Sequence, residues 1–335
     1  PAPELSVESV EEPTVSRDHW LDERRWWADD TVSPPRTLYE PQESGARRAI
    51  RTTLHPPSVD FRTDTIPENV RALLRTPESL SPTAIDRYNG CPFAFFVRTL
   101  LRVPETQAGF APENYLEIGS ALHAVMARVT GDTDEQTLRE IVRDAFSTPS
   151  TRLFLPRAGS EARVDFFTAA VRELVENGTL GFGRVARVEE PLAIERGSYT
   201  VRGIADRIVG DPERDAVTII DYKTRVGEKH ARSQVLPEDG EPETSSTLQL
   251  PLYAYIVSER ETNVPDRLVY VDMTNAQVKV LAARHGERRA HAAWERLEAL
   301  IARLPAYLDT VFGAIESGRL ACREEANCTE CRLKG

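Results

Sequence analysis

An α/β fold is what the sequence predicts, and three observations predict it. Segments 187–194, 199–209 and 217–223 are rich in β-branched and aliphatic residues and read as strands. Apolar residues at helical spacing flank them, as at Ile118, Leu122, Val125 and Val129. Between the second and third strands lies a run from Gly210 to Asp215 with strong turn chemistry, so those two strands pair as a hairpin.

The elements follow in order. Ser81 is an N-cap with Pro82 at the first helical position, and Ile85, Tyr88, Phe95, Phe96 and Leu100 give this helical stretch its buried side. A second helix covers 115–129 and carries His123 beside its apolar stripe; a third covers 160–177. After the strands, 245–259 reads as a helix capped by Ser246 or Thr247, with Pro251 in its first turn. Segments 268–273 and 277–281 form another hairpin, and 291–318 one long helix, straight or bent. No internal repeat occurs.

Residues 1–78 have a different texture, rich in Pro, Glu, Asp and Arg with weak periodicity. They read as an extended arm or a linker from an upstream domain. Trp20, Trp26 and Trp27 fit a short helix docked on the main body better than a base-stacking surface among so many carboxylates. Residues 79–335 form the main domain. With 40% hydrophobic and 28% charged residues the chain is composed like a soluble globular protein. No apolar run approaches the ~20 residues of a membrane span, and a cytoplasmic location is expected. The net charge of −11 argues against a simple nucleic-acid-binding module, which carries a basic face. It leaves room for an enzyme that meets phosphates through a metal and local arginines.

Asp221 and Lys223 carry opposite charges on an otherwise apolar strand and share one face, with Tyr222 on the other. The hairpin brings Asp206 near Asp221. A buried salt bridge with a spectator carboxylate is the plain interpretation, but desolvating charges is a poor source of stability. Two clustered carboxylates repel unless a cation sits between them, and a divalent metal with oxygen ligands meets that need. The chain has only four lysines, so one beside Asp221 is less easily put down to chance.

Set in order, the segments "GSALHAVM", "VRGIADRIV", "IIDYKT" and "LQLPLYAYI" resemble the PD-(D/E)XK nuclease superfamily, specifically its RecB-like branch. "LSPTAIDRYNGCPFAFFVRTLL" resembles the segment that opens the nuclease domain in AddB-like proteins. The resemblance implies a restriction-endonuclease-like core: a mixed central β-sheet flanked by helices, with helical additions. It implies Mg²⁺ or Mn²⁺ held by His123, Asp206 and Asp221, and a catalytic set of Asp206, Asp221, Lys223, Gln249 and Tyr253. Lys223 would orient or deprotonate water, or stabilise phosphoryl oxygens. Glu190 is a candidate outer-shell acid. Arg87, Arg98, Arg207 and Arg225 are candidate phosphate contacts.

Four cysteines are present, Cys91, Cys322, Cys328 and Cys331, and the tight trio suggests thiolate metal ligation rather than disulfides. Composition alone leaves zinc and an iron–sulfur cluster open. The resemblance implies a [4Fe–4S] cluster that staples the ends of the nuclease domain, although the two gaps of the trio are exchanged relative to the family pattern. The expected function is a DNA nuclease, an exonuclease on single-stranded ends in repair or recombination. The resemblance implies a helicase acting with it, and since the chain contains no Walker A motif a partner or a missing upstream part would supply the ATPase. An inactive nuclease-fold scaffold is the alternative.

Overall fold

The computed structural model describes residues 77–103, 115–147, 157–176, 180–181, 186–211, 213–262 and 264–321. All of these fall in the larger of two units of the chain, Phe61–Gly335. The expected arm over 1–78, save Pro77 and Glu78, lies outside the described residues, as do Cys322, Cys328 and Cys331.

The chain enters through a two-residue strand, β1 (Ser79–Leu80), and turns into α1 (Pro82–Gly90). The Ser81 side chain accepts the Ala84 amide and Pro82 sits in the first turn, as the sequence predicts. Cys91 interrupts the helix and caps α2 (Pro92–Phe95), which runs on into a π-helical turn, Phe96–Leu100. Three longer helices follow: α3 (Tyr115–Arg128), α4 (Glu135–Ala145) and α5 (Arg157–Glu176). Then come β2 (Ala186–Arg196), β3 (Tyr199–Asp211) and β4 (Ala216–Lys223). A short helix, α6 (Arg232–Val235), lies in the connection to α7 (Gln249–Arg260). The chain continues through β5 (Val264–Asp272), β6 (Gln277–Ala283) and α8 (Arg288–Glu316), which runs unbroken through Pro305.

The strands form one six-stranded mixed sheet in the order β1-β3-β4-β5-β6, with β2 on the other edge of β3. β3 pairs parallel with β1 and antiparallel with β2 and β4, while β4 and β5 run parallel. One core joins α1, α7 and α8 to the sheet through residues such as Ile85, Leu252, Leu297 and Ile219. A second core joins α3, α4 and α5 through Leu122, Val142, Val171 and Ile220. Both faces of the central strands are therefore covered, which is why β4 and β5 read as near-continuous apolar runs. No helix among the described residues is long and apolar enough to cross a membrane.

One feature of the sheet positions the site. β1 and β4 share the same edge of β3 but do not meet. β1 pairs with Thr200 and Val201, and the β4 ladder begins only at Arg207↔Ile220. Between them, residues 202–206 of β3 face a gap.

Candidate active site

Backbone groups in a ladder gap need other partners, and side chains supply them here. Asp206 stands one step past the last β3–β4 rung, opposite Asp221, and its Oδ2 accepts the Tyr222 amide at 2.6 Å. The Tyr253 hydroxyl, from α7, donates to the Ile204 carbonyl at 2.8 Å. Gly203 makes that approach possible: a Cβ there would lie 2.7 Å from Tyr253 Cε1 and 3.2 Å from Pro82 Cδ. Burial, chiefly, pushes the Tyr253 phenol up to about 12, so it remains a donor.

His123 reaches the same gap from α3. Its Nε2 lies 3.0 Å from the Tyr222 carbonyl, which can only accept, so Nε2 carries a hydrogen. Its Nδ1 then faces Asp206 Oδ1 at 3.2 Å. Burial works against the imidazolium, but the Asp206 carboxylate outweighs it and the ring is held above its ordinary range. Fixing the far nitrogen on a carbonyl is the usual way of presenting the near one to a cation.

Asp221 is fully buried. Lys223 Nζ lies 2.7 Å from its Oδ2 as an ion pair, and among the described residues neither carboxylate oxygen has a well-aligned hydrogen bond. Burial, opposed by Lys223 and reinforced by Asp206, pushes this carboxyl up to about 6. Lys223 also donates to Gln249 Oε1 at 2.9 Å, and Gln249 Nε2 lies 3.4 Å from the Tyr253 hydroxyl. Gln249 and Tyr253, one turn apart on α7, thus pair, and both turn toward Lys223 and the gap.

The potential metal ligands include one residue beyond those expected. His123, Asp206 and Glu189 place ligand atoms within 4.8 Å of one another; Asp221 stands beside this group rather than in it. Glu190 is not the neighbouring acid, since it pairs with Arg187 at 3.3 Å. Glu189 turns to the site from a left-handed backbone, φ 49°, an uncommon conformation for a residue with a side chain. Its carboxyl is raised by burial and by the Asp206 charge. A signal for Glu189 was present in the sequence. A two-residue Gly197-Ser198 turn sets Arg196 against Tyr199, and counting back along that register puts Glu189 opposite Asp206.

An open cleft of about 600 Å³ leads to these groups, lined by Gly119, Ser120, Ala124 and Ala127 of α3 together with His123, Glu189, Lys223 and Thr224. Small residues on α3 make the room. Gly119 packs so close to Thr224 that a Cβ would lie 3.0 Å from its Oγ1.

The four candidate phosphate contacts do not form one surface. Arg207 corrects the sequence reading: it is buried, donating to the Tyr222 hydroxyl at 2.8 Å and to the Met126 and Val129 carbonyls. It locks α3 to the sheet and cannot meet a phosphate. The hairpin turned its neighbour Asp206 toward the gap and so turned Arg207 inward. Arg87 donates to Thr99, Arg98 to the Val103 carbonyl, and Arg225 is exposed just past Lys223. The helix expected to start at Ser246 or Thr247 is capped instead at Leu248, with no cap from its own side chain.

The protein-family model for the PD-(D/E)XK nuclease superfamily matches residues 79–335. Among solved structures, a crystal structure of a protein named "Putative exonuclease" from Eubacterium rectale is similar at 11% identity and a TM-score of 0.45, covering 83% of this chain and 92% of that one. No curated protein matches.

Proposed function

This chain belongs to the PD-(D/E)XK nuclease superfamily, and we propose that it is a metal-dependent deoxyribonuclease, an exonuclease on single-stranded ends that serves repair or recombination beside a helicase. One observation carries the reading of an active enzyme. The broken β3–β4 ladder gathers Asp206, Asp221 and Lys223 with His123 and Glu189 at the foot of an open cleft.

These residues fit a divalent cation. Asp206 Oδ1 faces an imidazole nitrogen, and buried Asp221 keeps an oxygen with no hydrogen-bond partner among the described residues, an arrangement costly without added positive charge. His123, Asp206 and Glu189 would hold the ion, with Asp221 adjoining; the imidazole suits Mn²⁺ better than Mg²⁺. When bound, the ion supplies Lewis-acid charge that makes phosphate and water more reactive.

The chain's own groups do the rest. Tyr222 O fixes the His123 ring and Asp206 caps the Tyr222 amide, so strand and helix are tied at the site. Lys223, held between Asp221 and Gln249, presents an ammonium to the cleft. There it can orient a water or hold charge developing on phosphoryl oxygens. Tyr253 keeps the gap open by satisfying Ile204 from the opposite side.

The test is cleavage of end-labelled single-stranded and duplex DNA, and of RNA, with Mn²⁺ or Mg²⁺. Metal-dependent cleavage of DNA is expected, falling by about a thousand-fold or more in Lys223→Ala. A folded wild-type protein that binds DNA but cuts nothing would instead be the inactive scaffold.

For the cysteines we propose the [4Fe–4S] cluster, with zinc as the alternative. Cys91 is the one described ligand, and its sulfur accepts the Ala94 amide at 3.4 Å, a bond that suits a thiolate. Iron with acid-labile sulfide in protein purified without air is expected. Stoichiometric zinc would replace the cluster, and neither metal would end the idea.

A further inference from the structure

We propose that Asp86 is a positioning residue for Lys223, acting through the first turn of α7. The proposal rests on the reading of Lys223 as a working group of a phosphodiester-cleaving site.

Left to itself, α7 begins poorly. Its N-cap, Leu248, has no side-chain acceptor, and Pro251 occupies the place from which a capping-box glutamate would reach back. Another helix supplies the acceptor. Asp86 of α1, 162 residues away in sequence, accepts the Leu248 amide on Oδ1 at 2.7 Å. Its Oδ2 accepts the Thr247 hydroxyl, also at 2.7 Å. Thr247 Oγ1 lies 3.4 Å from the Gln249 amide. One turn along α1, Asn89 donates to the Pro242 and Ser245 carbonyls at 3.0 and 3.4 Å. So α1 grips the segment entering α7 at two points.

The first residue of α7 is Gln249, and its Oε1 holds Lys223 Nζ. The same nitrogen touches Asp221 Oδ2. The ammonium is suspended between a strand and a helix start, and Asp86 sets where that helix starts. Charge-assisted bonds of this kind are directional and strong. Burial nevertheless raises the Asp86 carboxyl more than Thr247, Leu248 and the nearby lysines lower it. A carboxylate held at that cost is not what stability alone selects. A displacement of Gln249 by even an ångström would move the ammonium off its place, and misplacements of that size are expensive to catalysis.

A cap that only stabilised the fold would change melting and leave turnover per folded molecule alone. The experiment therefore compares kcat and KM for oligonucleotide cleavage with Mn²⁺ in wild type, Asp86→Ala, Asp86→Asn, Gln249→Ala and the Asp86→Ala/Gln249→Ala double variant. Asp86→Ala should lower kcat about 10- to 100-fold with KM within about two-fold. Asp86→Asn keeps an acceptor for the Leu248 amide and should stay within about five-fold of wild type. In the Gln249→Ala background the Asp86→Ala loss should shrink below about two-fold, because both act through one contact. An equal loss in both backgrounds would overturn the proposal, as would an unchanged kcat. If Asp86→Ala does not fold, Thr247→Val cuts the same chain more gently and is read the same way.

A second arm needs no activity. The four lysines of the chain are reductively ¹³C-methylated, and the Lys223 signal is identified by its absence in Lys223→Ala. In Asp86→Ala that signal should move to its position in Gln249→Ala; if it stays at the wild-type position, the proposal fails. Should wild type cleave nothing, the nuclease reading falls and this arm still decides the role of Asp86.

Discussion

Asp221→Asn should make the metal-free protein more stable while removing its activity. The carboxyl of Asp221 is raised from its ordinary 3.8 to about 6, chiefly by burial. At 1.36 kcal/mol per pKa unit, holding it ionised at pH 8 costs the folded state about 3 kcal/mol. The sign follows from proton counting. Between pH 4 and 6 the folded protein binds the proton that the unfolded chain has released, so Asp221 favours folding below that window and the advantage is gone above it. The cost at pH 8 is already net of the Lys223 attraction. Asparagine removes the charge at every pH but buries an amide where the carboxylate oxygens find no hydrogen bond among the described residues, a loss of about 1–2 kcal/mol. The net gain in EDTA at pH 8 is about 1–2 kcal/mol, or about 3–6 °C in Tm for a domain of this size. The gain should vanish as the pH falls through 6 toward 4. Calorimetry of both proteins in EDTA at pH 8 and pH 4.5 reads it directly, and Mn²⁺ at pH 8 should raise the wild-type Tm more than that of the variant. A variant no more stable than wild type at pH 8, or one that cleaves at a wild-type rate, would refute the account of Asp221 as a buried charge awaiting a cation.

Three further outcomes are expected. Glu189→Gln should raise the Mn²⁺ concentration for half-maximal binding by at least about ten-fold, measured by titration calorimetry, whereas Glu190→Gln should leave it within about two-fold. Gly203→Ala should destabilise the protein by about 1–3 kcal/mol in denaturant melts, since its Cβ would meet the rigid Tyr253 ring and the Pro82 ring together. Arg207→Leu should cost about 2–4 kcal/mol in the same assay by orphaning the Tyr222 hydroxyl and the end of α3. The salt dependence of DNA binding, carried instead by exposed cations such as Arg225, should be unchanged by that substitution.

How much was legible in the sequence divides along a physical line. Local chemistry was legible. Ser81 and Pro82 announce α1, runs of β-branched and aliphatic residues announce β3 and β4, and the turn between them fixes the hairpin that sets Asp206 against Asp221. The order of motifs pointed to the family, and the family to His123, Lys223 and Gln249. What depends on interruption or on distance was not legible. That β1 and β4 leave a gap along β3 is a property of three strands at once, and no periodicity encodes it. The gap is why Tyr253 bonds to a strand carbonyl and why Gly203 must lack a side chain. The hairpin register could place Glu189 opposite Asp206, but the left-handed backbone angle that turns its side chain to the site is held by the surrounding pairing and is not in the sequence. Asp86 caps a helix 162 residues away, a partnership that only packing of α1 on α7 creates. Sequence sets which side chains an element offers; the breaks between elements decide which of them meet.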